Sequence, residues 1–216
     1  SSLLLLSALG LFVVGPATTG HAAAAPATES YAGVAHQRAV KIVAALKLND
    51  SAKRARVEET VARQYRDLHD IQDTRDEKVA ATKMLPDKAA ATAAIAGARS
   101  EADTAIQALH ADYLARLSAD LTPSQIDQVK DGMTYGVLPL TFRVYQEMLP
   151  NLTTGQKQQI LAWLTEAREH AIDGGTAKEK HAWFGKYKGR INNYLSAAGI
   201  DMKAAEKNLS KARSKS

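Results

Sequence analysis

The run from His181 to Asn193 sets an aromatic plane, two cations and an amide at helical spacing. At about 100° per residue, Trp183, Lys186, Arg190 and Asn193 fall on one stripe. That combination suits a uronic acid or another anionic sugar: the indole stacks on the ring, the guanidinium offers paired N–H donors to a carboxylate, and the amide meets hydroxyls. Tyr135, in the loop Thr134-Tyr135-Gly136, and Arg143, on the helix that carries Glu147, are expected to complete the site. Plainer readings stand beside these. Trp183 could be tucked against a neighbouring helix under a solvated basic face, and Arg143 and Glu147, spaced i,i+4, could be a surface ion pair worth a few tenths of a kcal/mol.

Other chemistry is thinner. Glu166 and His170 stand four residues apart and could hold a metal ion together with His181, but two ligands fall short of the three or four usual at zinc sites. No metal and no cofactor are assigned. Asp67, Asp70, Asp73, Asp76 and Glu77 offer paired acids of the kind glycosidases use. Arg63, Arg66, Arg75 and Lys78 are interleaved with them, however, as on a solvated charged face. Phosphate-loop, G-x-S-x-G and H-E-x-x-H signatures are missing. With no cysteine among 216 residues there is also no disulfide, thiolate zinc site or cysteine nucleophile. No catalytic residue is named.

Helices must position these side chains. Alanine is abundant, only twelve residues are aromatic, and no segment alternates as a strand does. Residues 34–85 contain neither glycine nor proline, so they read as a first helix, about Tyr31 to Leu46, and a second with Val57, Val61, Tyr65 and Leu68 on one stripe. Met84-Leu85-Pro86-Asp87 ends it, and an alanine-rich third helix runs to Ser118. Thr122-Pro123-Ser124-Gln125, Thr153-Thr154-Gly155-Gln156 and Thr176-Ala177-Lys178-Glu179 are capping boxes, the first two preceded by Leu121 and Leu152 as staples. Gly132 to Pro139 is expected to be a loop before a short helix, Leu140 to Leu149. The helix after Thr176 should bury Phe184, Tyr187, Ile191, Tyr194, Leu195 and Ala198. Gly185 and Gly189 cost that helix about 1 kcal/mol each relative to alanine, which implies close approach of another helix or of a ligand. The fold expected is an all-α, single-domain bundle of about seven or eight helices over residues 28–199.

Residues 1–24 read as a signal peptide truncated at its start. Leu3 to Val14 is apolar yet shorter than the ~20 residues a membrane span needs, and Ala22-Ala23-Ala24 supplies a cleavage site. The mature protein is therefore expected to be periplasmic or extracellular, without a membrane span. From Ala177 to Ser216 ten Lys and Arg face three acids, a balance of +7, against −2 for residues 1–176. Residues 200–216 are expected to be a basic C-terminal helix or tail, loose and lysine-rich. Nucleic acid is not a normal partner of an exported chain, so an acidic glycan or a protein client is expected instead. The oligomeric state is not set by the sequence.

Three runs carry a family likeness. Asp131-Gly132-Met133-Thr134-Tyr135-Gly136-Val137, then Tyr145-Gln146-Glu147-Met148-Leu149-Pro150, then His181 through Tyr194 resemble a family of exported bacterial proteins catalogued only as a domain of unknown function, over roughly Val40 to Ala205. Members tend to be encoded beside polysaccharide-degrading enzymes, so the resemblance implies a carbohydrate context and supplies no catalytic residue. The Leu-Thr-x-x-Gln pattern at Leu121 and again at Leu152 is similar to that of the periplasmic Spy and CpxP-like stress proteins, which fold as curved helical hairpins and bind unfolded clients. The reading is, in order, a non-catalytic binding or accessory protein in acidic-polysaccharide processing, a Spy-like chaperone, and a carbohydrate-active enzyme.

Overall fold

Short polar side chains start nearly every helix. Ser30, Asp50, Asp87, Thr122, Thr153, Thr176 and Asp201 each accept a hydrogen bond from a free backbone N–H of the first turn, as residues of this type do at that position. In the computed structural model, which describes residues 30–214, they open α1 (Tyr31–Ala44), α2 (Ser51–Ala81), α3 (Lys88–Asp120), α4 (Pro123–Met133), α6 (Thr154–Ala171), α7 (Ala177–Ala197) and α8 (Met202–Arg213). The remaining helix, α5 (Val137–Met148), follows Gly136 at φ 65° without a side-chain cap. All three sequence-read capping boxes are formed. The signal segment expected over residues 1–24 lies outside the described residues. Within them, no helix is long and apolar enough to cross a membrane.

Two expected boundaries shift. The run from Gly132 to Pro139 is not one loop: α4 continues through Gly132 to Met133, only Thr134-Tyr135-Gly136 turns, and Pro139 stands in the first turn of α5. A proline costs no helix bond there, because first-turn N–H groups have no intrahelical acceptor. Nor are residues 200–213 a loose tail. Asp201 caps α8, Met202 is 8% exposed, and Arg213 reaches Glu147 of α5 at 2.7 Å.

Two hydrophobic clusters make up the core of this all-α bundle. One holds Val43, Val57, Val61, Tyr113, Leu117 and Met133 from α1 to α4; the other holds Ile160, Leu164, Phe184, Ile191 and Leu195 from α6 and α7, with Tyr145 of α5 and Met202 of α8. Leu121 staples into the first and Leu152 into the second.

Charges and amides join the two clusters. Arg168 of α6 is 5% exposed and donates through Nη2 to Asp127 Oδ1 at 2.5 Å and through Nη1 to Asp131 Oδ1 at 2.9 Å, both on α4. Beside it Lys130 reaches Glu169 at 2.6 Å. At the corner between α6 and α7, Gln72 donates to the Asp173 carbonyl at 3.1 Å and His110 Nδ1 lies 2.9 Å from Asp173 Oδ2. Gly175 has no room for a side chain, since a Cβ there would stand 1.7 Å from Gln72 Oε1. Lys180, 3% exposed, donates to the Ile172 carbonyl at 3.1 Å with its ammonium 5.8 Å from the Tyr65 ring centre. Burial holds that ammonium down to about 8, with Asp173 opposing the shift. The bond from Asp173 raises the His110 imidazole above its ordinary value.

Two measurements check this seam. Arg168→Ala should cost about 2–3 kcal/mol in urea unfolding, less than the about 3–5 of a fully enclosed pair because the Asp127 side chain is 57% exposed. Arg168→Lys should not restore it, since one ammonium cannot serve two carboxylates as a planar fork does. For Lys180, the folded value of about 8 lies below the 10.5 of a free side chain. Between those values the unfolded chain binds more protons, so stability rises with pH in that window. The native urea midpoint should therefore climb from pH 8 to pH 10 relative to that of Lys180→Met. Parallel midpoints would refute a buried ammonium.

Candidate functional site

Rings and cations interlock on the outer side of α6 and α7. Trp163 meets Tyr194 edge-on at 5.3 Å, and the Arg190 guanidinium lies 4.5 Å from the Trp163 ring centre. Nearer the corner, His170 stacks on Trp183 at 4.3 Å and 16°, and the Lys186 ammonium is 5.0 Å from the indole centre. Tyr187 lies beneath at 5% exposure; burial first, then the neighbouring Glu166 carboxylate, pushes its phenol up to about 12. Both tryptophans are half-buried, and the Arg190 side chain is 55% exposed. Its carboxylate partner, Glu166, is a loose one at 3.7 Å. Cations held over rings are worth about 0.5–1 kcal/mol at exposed positions and keep their charge, so Lys186 and Arg190 remain able to receive an anion.

Trp183 also borders a groove. A cavity of about 410 Å³ opens between α2, α3 and the α6–α7 corner, lined by Arg75, Asp103, Gln107, His170 and Asp173 together with Trp183.

The six residues expected to share one site are divided. Trp183, Lys186 and Arg190 come together on the ladder, with Asn193 exposed farther along the same stripe. Tyr135 and Arg143 do not join them. Tyr135 stacks on His181 at 5.6 Å, and His181 lies about 160° around α7 from Trp183. Arg143 faces Glu147 at 3.7 Å on α5. That helix meets α7 through Tyr145, whose hydroxyl donates to Asn192 Oδ1 at 2.7 Å, about 180° around from Trp183. The physical reason is rotational: residues two or nine apart on a helix face opposite ways.

On α7 the glycines and part of the core stripe depart from expectation, and the remaining charged groups find ordinary partners. A Cβ added at Gly185 or Gly189 would have no atom within 4 Å, so no helix approaches them. The core stripe of α7 buries Phe184, Tyr187, Ile191 and Leu195 as expected, but Tyr194 is only half-buried and Ala198 is exposed. Glu166 turns to Arg190, His170 to Trp183 and His181 to Tyr135, three separate partners. Asp67, Asp73 and Asp76 are engaged by Arg63, His69 and Arg75.

Sequence reasoning missed Trp163 as part of the ladder and Lys180 as a buried group. Both left a signal. Trp163, Glu166 and His170 sit at spacings of three and four, one stripe of α6, and Lys180 precedes Phe184 by four, in phase with the buried stripe of α7.

Comparison with known proteins adds lineage rather than chemistry. No curated protein matches the chain. Its residues 32–215 fit the profile of the family described as "Protein of unknown function (DUF3826)", a span that takes in nearly the whole of all eight helices from α1 to α8. With the ladder, the seam and the corner all inside that span, the chain belongs to this family.

Proposed function

We propose that this is an exported, non-catalytic protein that binds acidic glycan as an accessory to polysaccharide processing. The ladder on α6 and α7 carries the reading: two half-buried indoles, Trp183 on α7 and Trp163 on α6, each with an α7 cation at its ring, the set running along α7 from Trp183 to Arg190. Seven residues of helix rise about 10 Å, an open track suited to a polymer rather than to a small enclosed ligand. Sugar C–H faces lie on the indoles, and carboxylates draw Lys186 and Arg190 from the rings. The carbohydrate context implied by the family resemblance points the same way, and residues 1–24 support export.

A chaperone reading has one observation in its favour. Met84, 86% exposed, and Leu85, 44% exposed, form an apolar tip where α2 turns into α3. The other exposed large hydrophobics, Val40, Leu140 and Leu161 among them, are dispersed over other helices, and a client-binding surface is normally one contiguous patch.

Calorimetric titration with a galacturonate hexamer separates these. Trp183→Ala and Arg190→Gln should each weaken binding about tenfold or more, which corresponds to about 1.4 kcal/mol, with affinity falling as salt rises; Arg190→Gln should do so at an unchanged melting temperature, whereas Trp183→Ala also removes a ring packed on the second cluster and should lower it. Equal binding by native protein and variants sinks the glycan reading. Suppression of client aggregation that disappears in Met84→Ser/Leu85→Ser would favour the chaperone.

A further inference from the structure

The ladder ends at a groove of opposite charge. Three carboxylates, Asp103, Asp173 and Glu179, border it against the single guanidinium of Arg75, which already holds Asp76 at 2.8 Å. Two of the three are engaged: Asp173 by His110, and Glu179 by the backbone N–H groups of Gly175 and Thr176. Asp103 and Gln107, one turn apart on α3, are exposed, and their side chains make no hydrogen bond among the described residues. The cavity of about 410 Å³ lies within the about 300–1,000 Å³ of small-molecule sites. Its rim is the indole of Trp183.

These charges select what can enter. A uronate carboxylate in the groove would face Asp103, Asp173 and Glu179, three like charges against the one guanidinium of Arg75, whose Nε is already on Asp76. A neutral ring would instead donate hydroxyl protons to the Asp103 carboxylate and exchange hydrogen bonds with the Gln107 amide, beside the Trp183 indole on which His170 already stacks. On the other side of that indole the sign reverses, with Lys186 and Arg190 facing one carboxylate, Glu166.

We propose that this groove is a subsite for one neutral, hydroxyl-bearing sugar ring, so that the glycan recognised carries a neutral residue directly beside its acidic ones. The proposal rests on the acidic-glycan reading of the ladder and specifies its ligand class further.

Two probes test it: a galacturonate hexamer and a hexamer alternating galacturonate with rhamnose. Native protein should bind the alternating hexamer at least tenfold more tightly. Asp103→Asn/Gln107→Leu, which changes two exposed side chains without packing roles, should reduce that preference to under twofold, and Asp103→Lys should reverse it. Equal native affinity for the two probes, or a preference that survives in the double variant, overturns the subsite. The ladder reading is judged separately, by whether the galacturonate hexamer loses affinity on Trp183→Ala. If neither hexamer binds the native protein, both fall.

Discussion

Arg168 fixes the rotation of α6. Its side chain is 6% exposed and its guanidinium reaches two carboxylates of α4, so α6 cannot turn about its axis without leaving a buried charge unpaired, a far larger loss than a displaced surface pair. At 100° per residue, Trp163, Glu166 and His170 lie roughly half a turn around α6 from Arg168. The contact that locks α6 inward therefore aims those three side chains outward. Because α7 packs along α6, Trp183 and Arg190 find their ring partners only with α6 in this orientation.

The corner between α6 and α7 gives the second constraint. Two separate apolar clusters could slide over one another if only oil-like contact joined them, since hydrophobic burial is not directional. Hydrogen bonds are directional. Gln72 on the Asp173 carbonyl and His110 on its carboxylate pin the corner to α2 and α3, Lys180 closes the corner on the Ile172 carbonyl, and Ile172 itself belongs to the first cluster. A buried ammonium is a costly means of doing this, as the lowered value of Lys180 records. What it secures is position: Lys180 lies one turn before Phe184, so the start of α7 and the groove beneath Trp183 are set together.

Legibility in the sequence followed the range of the interactions. The capping boxes at Thr122, Thr153 and Thr176 and the staples Leu121 and Leu152 were readable because each closes within a few residues. The stripe through Phe184, Tyr187, Ile191 and Leu195 was readable because periodicity is local as well. For the C-terminal segment helix and loose tail both stayed open, because what holds α8, Arg213 on Glu147 and Met202 in the core, comes from residues more than fifty positions away or from packing alone. Tyr135 and Arg143 were misplaced for the same reason: a single α7 stripe defines one face, and only the tertiary arrangement shows that α5 and the turn before it approach the opposite one. Lys180 entered only the charge count of the C-terminal fifth, since lysine is seldom buried, although its phase with Phe184 placed it on the core side.

The basic balance of the C-terminal fifth looks different once each cation has a place. Lys180 is enclosed and Arg213 is spent on Glu147, whereas Lys178, Lys188, Lys203, Lys207 and Lys211 are exposed and make no ion pair among the described residues. Lys186 and Arg190 are a third case. A ring holds a cation in position without cancelling its charge, as a carboxylate would. Trp183 consequently stands where the sign of the surface changes, with Asp103, Asp173 and Glu179 on its groove side and Lys186 and Arg190 along α7. An isolated ion pair or a plain apolar patch has no such gradient. A ligand laid across this indole experiences opposite potentials at its two ends, and complementary charge of that kind sets the direction in which it binds as well as how fast it arrives.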